Sequence, residues 1–298
     1  VSIVYSAGSS WSIGQMKTIA VFPNTEKIES AGVLERITDF FADKDVRLVM
    51  LREPAEKFGY PELAVKNKDI QNADIGLSIG GDGTLLGVCR QLYAKDIPCC
   101  GINIGNVGFL ADIEVPELES RLQKLLDNQY YIEERTVISS SQCSRGEKKF
   151  LGHALNDIVI GKGGVSRMLH LGVSVDGCRM TDYKADGVIV STATGSTAYS
   201  LSAGGPVINP AVKALLITPI CPHTLEVRPM VISDEDYVRI HIAAVHQDIQ
   251  ITLDGQESYP LMPGDEITVR KAKNAAKIIK FEDRNYYYTL KNKLWRSL

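Results

Sequence analysis

The sequence predicts an α/β domain on a parallel sheet, then a β-rich domain, with the last segment of the chain returning to the first. Three observations support this. Up to about residue 129, apolar runs without polar alternation are separated by segments of helical period, the pattern of parallel strands covered on both faces. Beyond that point the chain breaks into short strands with turn signals. At its end Tyr287, Leu290, Leu294 and Leu298 line one helical face, and a lone amphipathic helix has to bury such a stripe, preferably against the α/β domain. With 298 residues the chain is long enough for two cores. The expected division is residues 16–132 with 283–298 as the α/β domain, and 133–282 as the β-rich domain. Residues 1–15 are Ser/Gly-rich and lack the basic start of a signal peptide, so they read as a tag remnant or disordered tail ahead of Met16.

Each element follows in order. Residues 17–22 form an apolar strand closed by Pro23, and Ala31, Leu34, Ile37 and Phe41 then recur at helical spacing. Residues 46–51 are a second strand, after which Pro54 and Pro61 interrupt a charged loop. Residues 75–79 are the third strand, 84–94 a helix with Leu85, Leu86, Val88, Cys89 and Leu92 inward, and 97–102 the fourth strand. A Gly-punctuated loop covers 103–112, and Pro116 opens a helix with Leu118, Leu122 and Leu125 on one face. In the β-rich half, Arg145-Gly146 and residues 161–164 mark turns, while Asp176-Gly177 and Asp254-Gly255 are hairpin signals. Residues 237–245, 248–253, 266–270 and 277–281 continue the strands.

Composition narrows the function classes. With 33 basic and 36 acidic residues the formal charge is −3, which gives no general attraction to nucleic acid or an anionic membrane. No apolar run reaches the roughly 18 residues of a membrane span. Cys89, Cys99, Cys100, Cys143, Cys178 and Cys221 show no C-x-x-C spacing and read as buried free thiols of a reducing cytoplasm. His153, His170, His223, His241 and His246 show no metal-ligand spacing, so no protein-built metal site is expected.

Chemistry concentrates first in Gly80-Gly81-Asp82-Gly83-Thr84, between a strand and a helix. The glycines allow positive φ and close approach of a ligand, and the helix N-terminus offers N–H groups and a positive dipole to phosphate. Asp82 is then either a helix cap or a carboxylate placed to meet a hydroxyl or a metal beside that phosphate. In parallel sheets such a turn, at the carboxyl end of a strand, is where ligands bind. The β-rich half adds Asn156-Asp157, Lys184-Ala185-Asp186-Gly187 and the hydroxyl-dense block 191–200, whose donors suit ribose and phosphate oxygens. Read singly, the first and the last have plain structural explanations: an Asx turn, and a loop capping a helix that starts near Ser196.

Gly80-Gly81-Asp82-Gly83-Thr84, Asn156-Asp157, residues 186–199 and residues 220–225 occur in an order that resembles the bacterial-type, ATP-dependent NAD kinases, from about Lys17 to the C-terminus. The glycine turn is shared with phosphofructokinases and lipid kinases, and the Gly195-Ser196-Thr197-Ala198-Tyr199 block narrows the resemblance to NAD kinases. It implies a Rossmann-like N-terminal domain and a β-sandwich-like C-terminal domain whose final segment returns to the first. It also implies a cytoplasmic homodimer or homotetramer that uses ATP as phosphoryl donor, Mg²⁺ or another divalent cation, and NAD as substrate. By carry-over, Asp82 takes the proton of the adenosine ribose 2′-hydroxyl as that oxygen attacks the γ-phosphate, and Gly80, Gly81, Gly83 and Thr84 shape the phosphate loop.

Asn156 and Asp157 match the family's dinucleotide-binding Asn-Glu pair, Asp157 being one methylene shorter. Lys184, Asp186, Thr197, Ala198, Tyr199, Ser200, Ser202 and Gln256 match further dinucleotide contacts, and Ala193 stands where the family usually has proline. Together these stretches put Asp82 at an interdomain cleft facing a ribose hydroxyl. The competing readings are a lipid kinase of the diacylglycerol class, which would need an apolar entrance, and a non-catalytic nucleotide sensor, against which the retained carboxylate argues.

Overall fold

The computed structural model describes residues 17–105, 108–163, 168–223, 226–243, 248–282 and 285–294. The expectations for residues 1–15, and those resting on Met16, Gly164, Thr224, Leu225, Val245, His246 and Leu298, lie outside these. The chain divides into two compact units, one of residues through Glu134 and from Ala276 onward, the other Arg135–Ala275.

The first unit starts with β1 (Lys17–Pro23), α1 (Glu29–Phe41), β2 (Val46–Leu51), α2 (Arg52–Phe58), β3 (Ala64–Val65), α3 (Asn67–Ile70), β4 (Ile75–Gly80) and α4 (Asp82–Leu92). It continues with β5 (Cys99–Asn103), β6 (Ile113–Glu114), α5 (Leu118–Leu126) and β7 (Tyr131–Arg135). The stretch expected to be a charged loop is α2: Pro54 falls in its first turn, where its missing N–H has no helical partner to lose, and Gly59 ends it at φ 81°. Helix α1 buries Ser30, Val33, Leu34, Ile37 and Phe41. Ala31 lies outside this stripe.

The second unit contains β8 (Ile138–Ser144), β9 (Glu147–Ala154), β10 (Asp157–Lys162), β11 (Leu169–Val175), β12 (Cys178–Ala185), β13 (Gly187–Thr192), α6 (Tyr199–Ser202) and β14 (Ala214–Ile220). Then come β15 (Met230–Ser233), β16 (Val238–Ile242), β17 (Ile249–Leu253), β18 (Glu257–Leu261) and β19 (Glu266–Lys271). They make two antiparallel sheets, β15-β14-β13-β10-β17-β18 and β12-β11-β16-β19-β8-β9. Inward residues of both, such as Ile158, Val190 and Ile251 from one and Leu171, Ile240 and Ile267 from the other, share one core, as in a β-sandwich. Arg145-Gly146, Asp176-Gly177 and Asp254-Gly255 each take positive φ at both positions, and each joins a hairpin.

The chain then returns to the first unit as β20 (Ala276–Lys280) and α7 (Tyr286–Leu294). Residues 277–281 therefore do not extend the sandwich: β20 is parallel to β5, in a sheet ordered β3-β2-β1-β4-β5-β20-β7. The order reverses between β1 and β4, so the loops after these two strands flank the switch point where open α/β sheets bind ligands. Helix α7 packs through Tyr286, whose ring lies 6.4 Å from that of Phe109, through the buried Leu290, and through Lys293, whose Nζ lies over the Phe109 ring. Tyr287 and Leu294, expected on the buried face, are 62% and 37% exposed, so the real stripe is rotated by about one residue.

A buried ion pair ties the returning segment to the sheet. Lys280 Nζ donates to the Leu110 carbonyl at 2.9 Å and lies 3.2 Å from Asp112 Oδ1, while Phe281 N–H donates to Asp112 Oδ2 at 3.0 Å. Both side chains are nearly water-free. Removing one partner of such a pair strands the other charge, so Asp112→Ala is expected to destabilise by about 3–5 kcal/mol in urea unfolding. A cost under ~1 kcal/mol would show that the pair does not hold the segment.

Candidate active site

Gly80 ends β4, Gly81 precedes α4, and Asp82, Gly83 and Thr84 are the first residues of α4. The expected positive φ is not what the first two glycines supply. Gly81 is extended at φ −122° and ψ −169°, whereas a Cβ on Gly80 would overlap the Thr84 side chain. Gly80 is thus required for close approach. Thr84 Oγ1 accepts a hydrogen bond from Asn24 Nδ2 at 3.2 Å, and Asn24 N–H donates to the Ile79 carbonyl at 2.8 Å. Asn24, directly after β1, therefore joins the two loops at the switch point. No residue pattern in the sequence singled it out.

Asp82 is held firmly. Its Oδ2 accepts from Phe109 N–H at 2.6 Å, and its Oδ1 accepts from Leu110 and Ala111 N–H, both at 3.1 Å. Gly108 makes this possible, since a Cβ there would overlap the carboxylate. A carboxylate offers about four lone-pair positions, so among the described residues these amide bonds leave one, on Oδ2. The side chain is 26% exposed, and Lys293 Nζ lies 4.0 Å from Oδ2. The carboxylate at the first position of α4 also meets the positive end of that helix. Loop 108–111 was legible only as glycine-punctuated, and its role as a cradle comes from the fold.

The second unit repeats the device. Asp254, expected to be only a turn residue, accepts from Leu155, Asn156 and Asp157 N–H at 2.9, 2.7 and 3.1 Å. It fixes the Asn156-Asp157 pair. A Cβ on Gly195 would overlap the Asn156 backbone, so the block 192–199 packs directly on that pair. Asp157 is only 5% exposed, and burial, with the neighbouring Asp254 charge adding to it, pushes its carboxyl up to about 7 against the opposing Tyr199 N–H.

The hydroxyl block is less of a ligand surface than its composition suggests. Thr192 Oγ1 donates to the Leu155 carbonyl at 2.6 Å, Ser196 Oγ donates to the Ala193 carbonyl at 2.7 Å, and Ser200 Oγ pairs with Thr218 Oγ1 at 2.8 Å. Ser200 is fully buried, and its side chain braces the scaffold. Thr197 and Ala198 are half-buried, while Tyr199 and Ser202 are exposed. The local helix also differs: a 3₁₀ turn spans Thr194–Thr197 and α6 begins at Tyr199. Gln256 is exposed in the β17–β18 hairpin, its N–H donating to the Leu253 carbonyl at 2.9 Å.

Lys184 and Asp186 are not gathered with these residues. Asp157 pairs with Ser191 at one end of the β10–β13 ladder and Gly161 with Gly187 at the other, about 13 Å apart by strand rise. Asp186 sits at that far end, and its partner is Lys162, at 2.8 Å, rather than Lys184. Lys184 is exposed on β12 opposite His170, and its carbonyl accepts from His223 N–H at 2.9 Å. Cys178 and Cys221 are exposed, contrary to the expectation of buried thiols, and Cys89, Cys99 and Cys100 are buried. Among the described residues no helix is long and apolar enough to cross a membrane.

A glycine turn at the switch point of a parallel sheet, with a carboxylate locked inside it, is the equipment of a kinase that handles nucleotide phosphates. Comparison with known proteins gives the family. The model of the ATP-NAD kinase N-terminal domain matches residues 17–130, and that of the ATP-NAD kinase C-terminal domain matches 155–281. An NAD kinase of Moorella thermoacetica is 40% identical over 94% of this chain and 89% of its own. Among solved structures, yeast NADH kinase complexed with NADH superposes with a TM-score of 0.86 at 25% identity, covering 95% of this chain and 89% of that one. An NAD kinase from Archaeoglobus fulgidus in complex with ATP gives 0.73 at 26%, covering 92% and 97%. The chain belongs to the NAD kinase family, and neither the lipid kinase nor the non-catalytic sensor is favoured.

The Asp157 carboxyl yields a stability prediction. Its folded-state value, about 7, lies above the ordinary 3.8, so the folded protein holds this proton more tightly than the unfolded chain. Stability from this group is therefore present in acid and lost as pH rises through 7. Asp157→Asn, which cannot ionise, is expected to gain on wild type by roughly 2 kcal/mol between pH 5 and 8 in urea unfolding. Parallel pH profiles of the two proteins would refute the buried acid.

Proposed function

We propose that the enzyme transfers the γ-phosphoryl group of ATP to the 2′-hydroxyl of the adenosine ribose of NAD, giving NADP and ADP, with Asp82 as general base. The observation that carries this reading is the Asp82 carboxylate, fixed by three amides that leave one acceptor position on Oδ2 among the described residues. A ribose hydroxyl is a poor nucleophile at neutral pH, and a base locked in one orientation removes its proton without first being ordered. The glycine turn and the N-terminus of α4 receive phosphate oxygens. A divalent cation such as Mg²⁺ fits this donor set when carried chiefly by the ATP phosphates, with Asp82 the adjacent carboxylate, and it would neutralise charge on the transferred group.

Asn156, Asp157, Thr197, Ala198 and Tyr199 form one station for the dinucleotide. Lys184 and Asp186, at the far end of the same strands, form another, which suits the two nucleoside halves of NAD. Gln256 and Ser202 are peripheral contacts, and Ser200 acts through the scaffold. Assembly as a homodimer or homotetramer in the cytoplasm belongs to the same reading.

Asp82→Asn is expected to lower kcat for NADP formation by at least ~10² while NAD affinity stays within a few-fold. Near-normal turnover would remove the base role. Gly108→Ala tests the cradle independently, because the new methyl group must push the carboxylate aside. Its kcat should fall by about tenfold or more, with a thermal midpoint close to wild type. Full activity of that variant would show that the fixed orientation is dispensable.

A further inference from the structure

We propose that Lys293 of α7 is a second catalytic group, a cation that holds the acceptor oxygen while Asp82 takes its proton. The inference rests on the reading of Asp82 as general base. Lys293 Nζ lies 4.0 Å from Asp82 Oδ2 and 4.5 Å from the centre of the Phe109 ring, and the Phe109 N–H binds that same Oδ2 at 2.6 Å. The ammonium and the carboxylate are too far apart for a hydrogen bond to each other, yet close enough for one oxygen to bond both: an atom about 2.8 Å from each completes a shallow triangle. The one position on Oδ2 not taken by an amide is where such an oxygen would meet the base.

The lysine is held there by its helix. Leu290 is buried one turn earlier, and Tyr286, two turns back on the same face, stacks toward Phe109. At 29% exposure the Lys293 side chain is covered by the ring beneath it yet open to an incoming ligand.

The step balances as follows. The hydroxyl O–H bond breaks and its proton passes to Asp82 Oδ2, while the oxygen forms a bond to the γ-phosphorus. The bond from that phosphorus to the bridging oxygen breaks, and its electron pair leaves with ADP. Lys293 keeps its proton throughout, and its charge offsets the negative charge that builds on the attacking oxygen and the transferred group. It also reduces the repulsion between a carboxylate and a phosphate that must come together.

The test is steady-state NADP formation with ATP, Mg²⁺ and NAD by wild type, Lys293→Met, Lys293→Arg and Asp82→Asn, with thermal midpoints for each. Lys293→Met is expected to lose about 10²-fold in kcat, with KM for both substrates within about threefold and an unchanged midpoint. Lys293→Arg, which keeps the charge, should recover to within about tenfold of wild type. Full turnover by Lys293→Met, while Asp82→Asn is impaired, overturns the role of Lys293 and leaves the base intact. Equal loss in the Met and Arg variants with a lowered midpoint also overturns it, by making the lysine a helix clamp. Wild-type protein that forms no NADP defeats the function itself, and this inference with it.

Discussion

Three consecutive amide N–H groups, from residues 109 to 111, close on one carboxylate, and much of the first unit can be understood as holding them there. A carboxylate on a flexible turn would sample many orientations, and the cost of selecting one would fall on the reaction. Here folding has already met that cost. The cradle in turn needs a loop that cannot drift, and the buried Lys280 supplies the restraint by binding the carbonyl of Leu110, the residue whose N–H faces Asp82. Strand β20 therefore has a purpose beyond completing a sheet, since it brings in the ammonium that fixes the loop.

The second unit solves its own positioning problem in the same way. Asp254, at positive φ in a tight hairpin, gathers the amides of residues 155–157 and so sets the direction in which Asn156 and Asp157 leave the strand. The consequence is electrostatic. Asp157 is nearly water-free beside the half-buried Asp254, and burial first and that charge second lead it to hold its proton.

The sequence was informative where chemistry and local geometry coincide. Strands covered on both faces read as unbroken apolar runs, and the Asx-Gly and Arg-Gly hairpins declared themselves because few other pairs tolerate positive φ at two successive positions. Gly80 and Asp82 are legible as a glycine-flanked carboxylate at a strand end, although Gly80 serves close approach and not positive φ. Illegible were contacts that depend on distant residues meeting: Asn24 on Thr84, the amides 109–111 on Asp82, Lys162 on Asp186. Helix α2 is hidden by Pro54, which reads as a breaker although the first turn of a helix tolerates it. Residues 277–281 join the first unit's sheet, and a short apolar strand carries no mark of the sheet it joins.

The hydroxyl block shows how composition can mislead about a site. Seven hydroxyl side chains suggest a surface that dresses a ligand, yet Thr192 and Ser196 donate to carbonyls, Ser200 pairs with Thr218, and Thr194 accepts from Arg135 at 3.3 Å. A loop this tight leaves backbone groups that strand or helix pairing does not satisfy, and each one buried without a partner costs about 1–3 kcal/mol. Short side chains that donate or accept are the cheapest remedy. The density of Ser and Thr is therefore first a consequence of folding the backbone against Asn156. Thr197, Ala198 and Tyr199 stand at its rim, half-buried or exposed. Burial decides which neighbouring residues of one motif brace the backbone and which stay open at its rim.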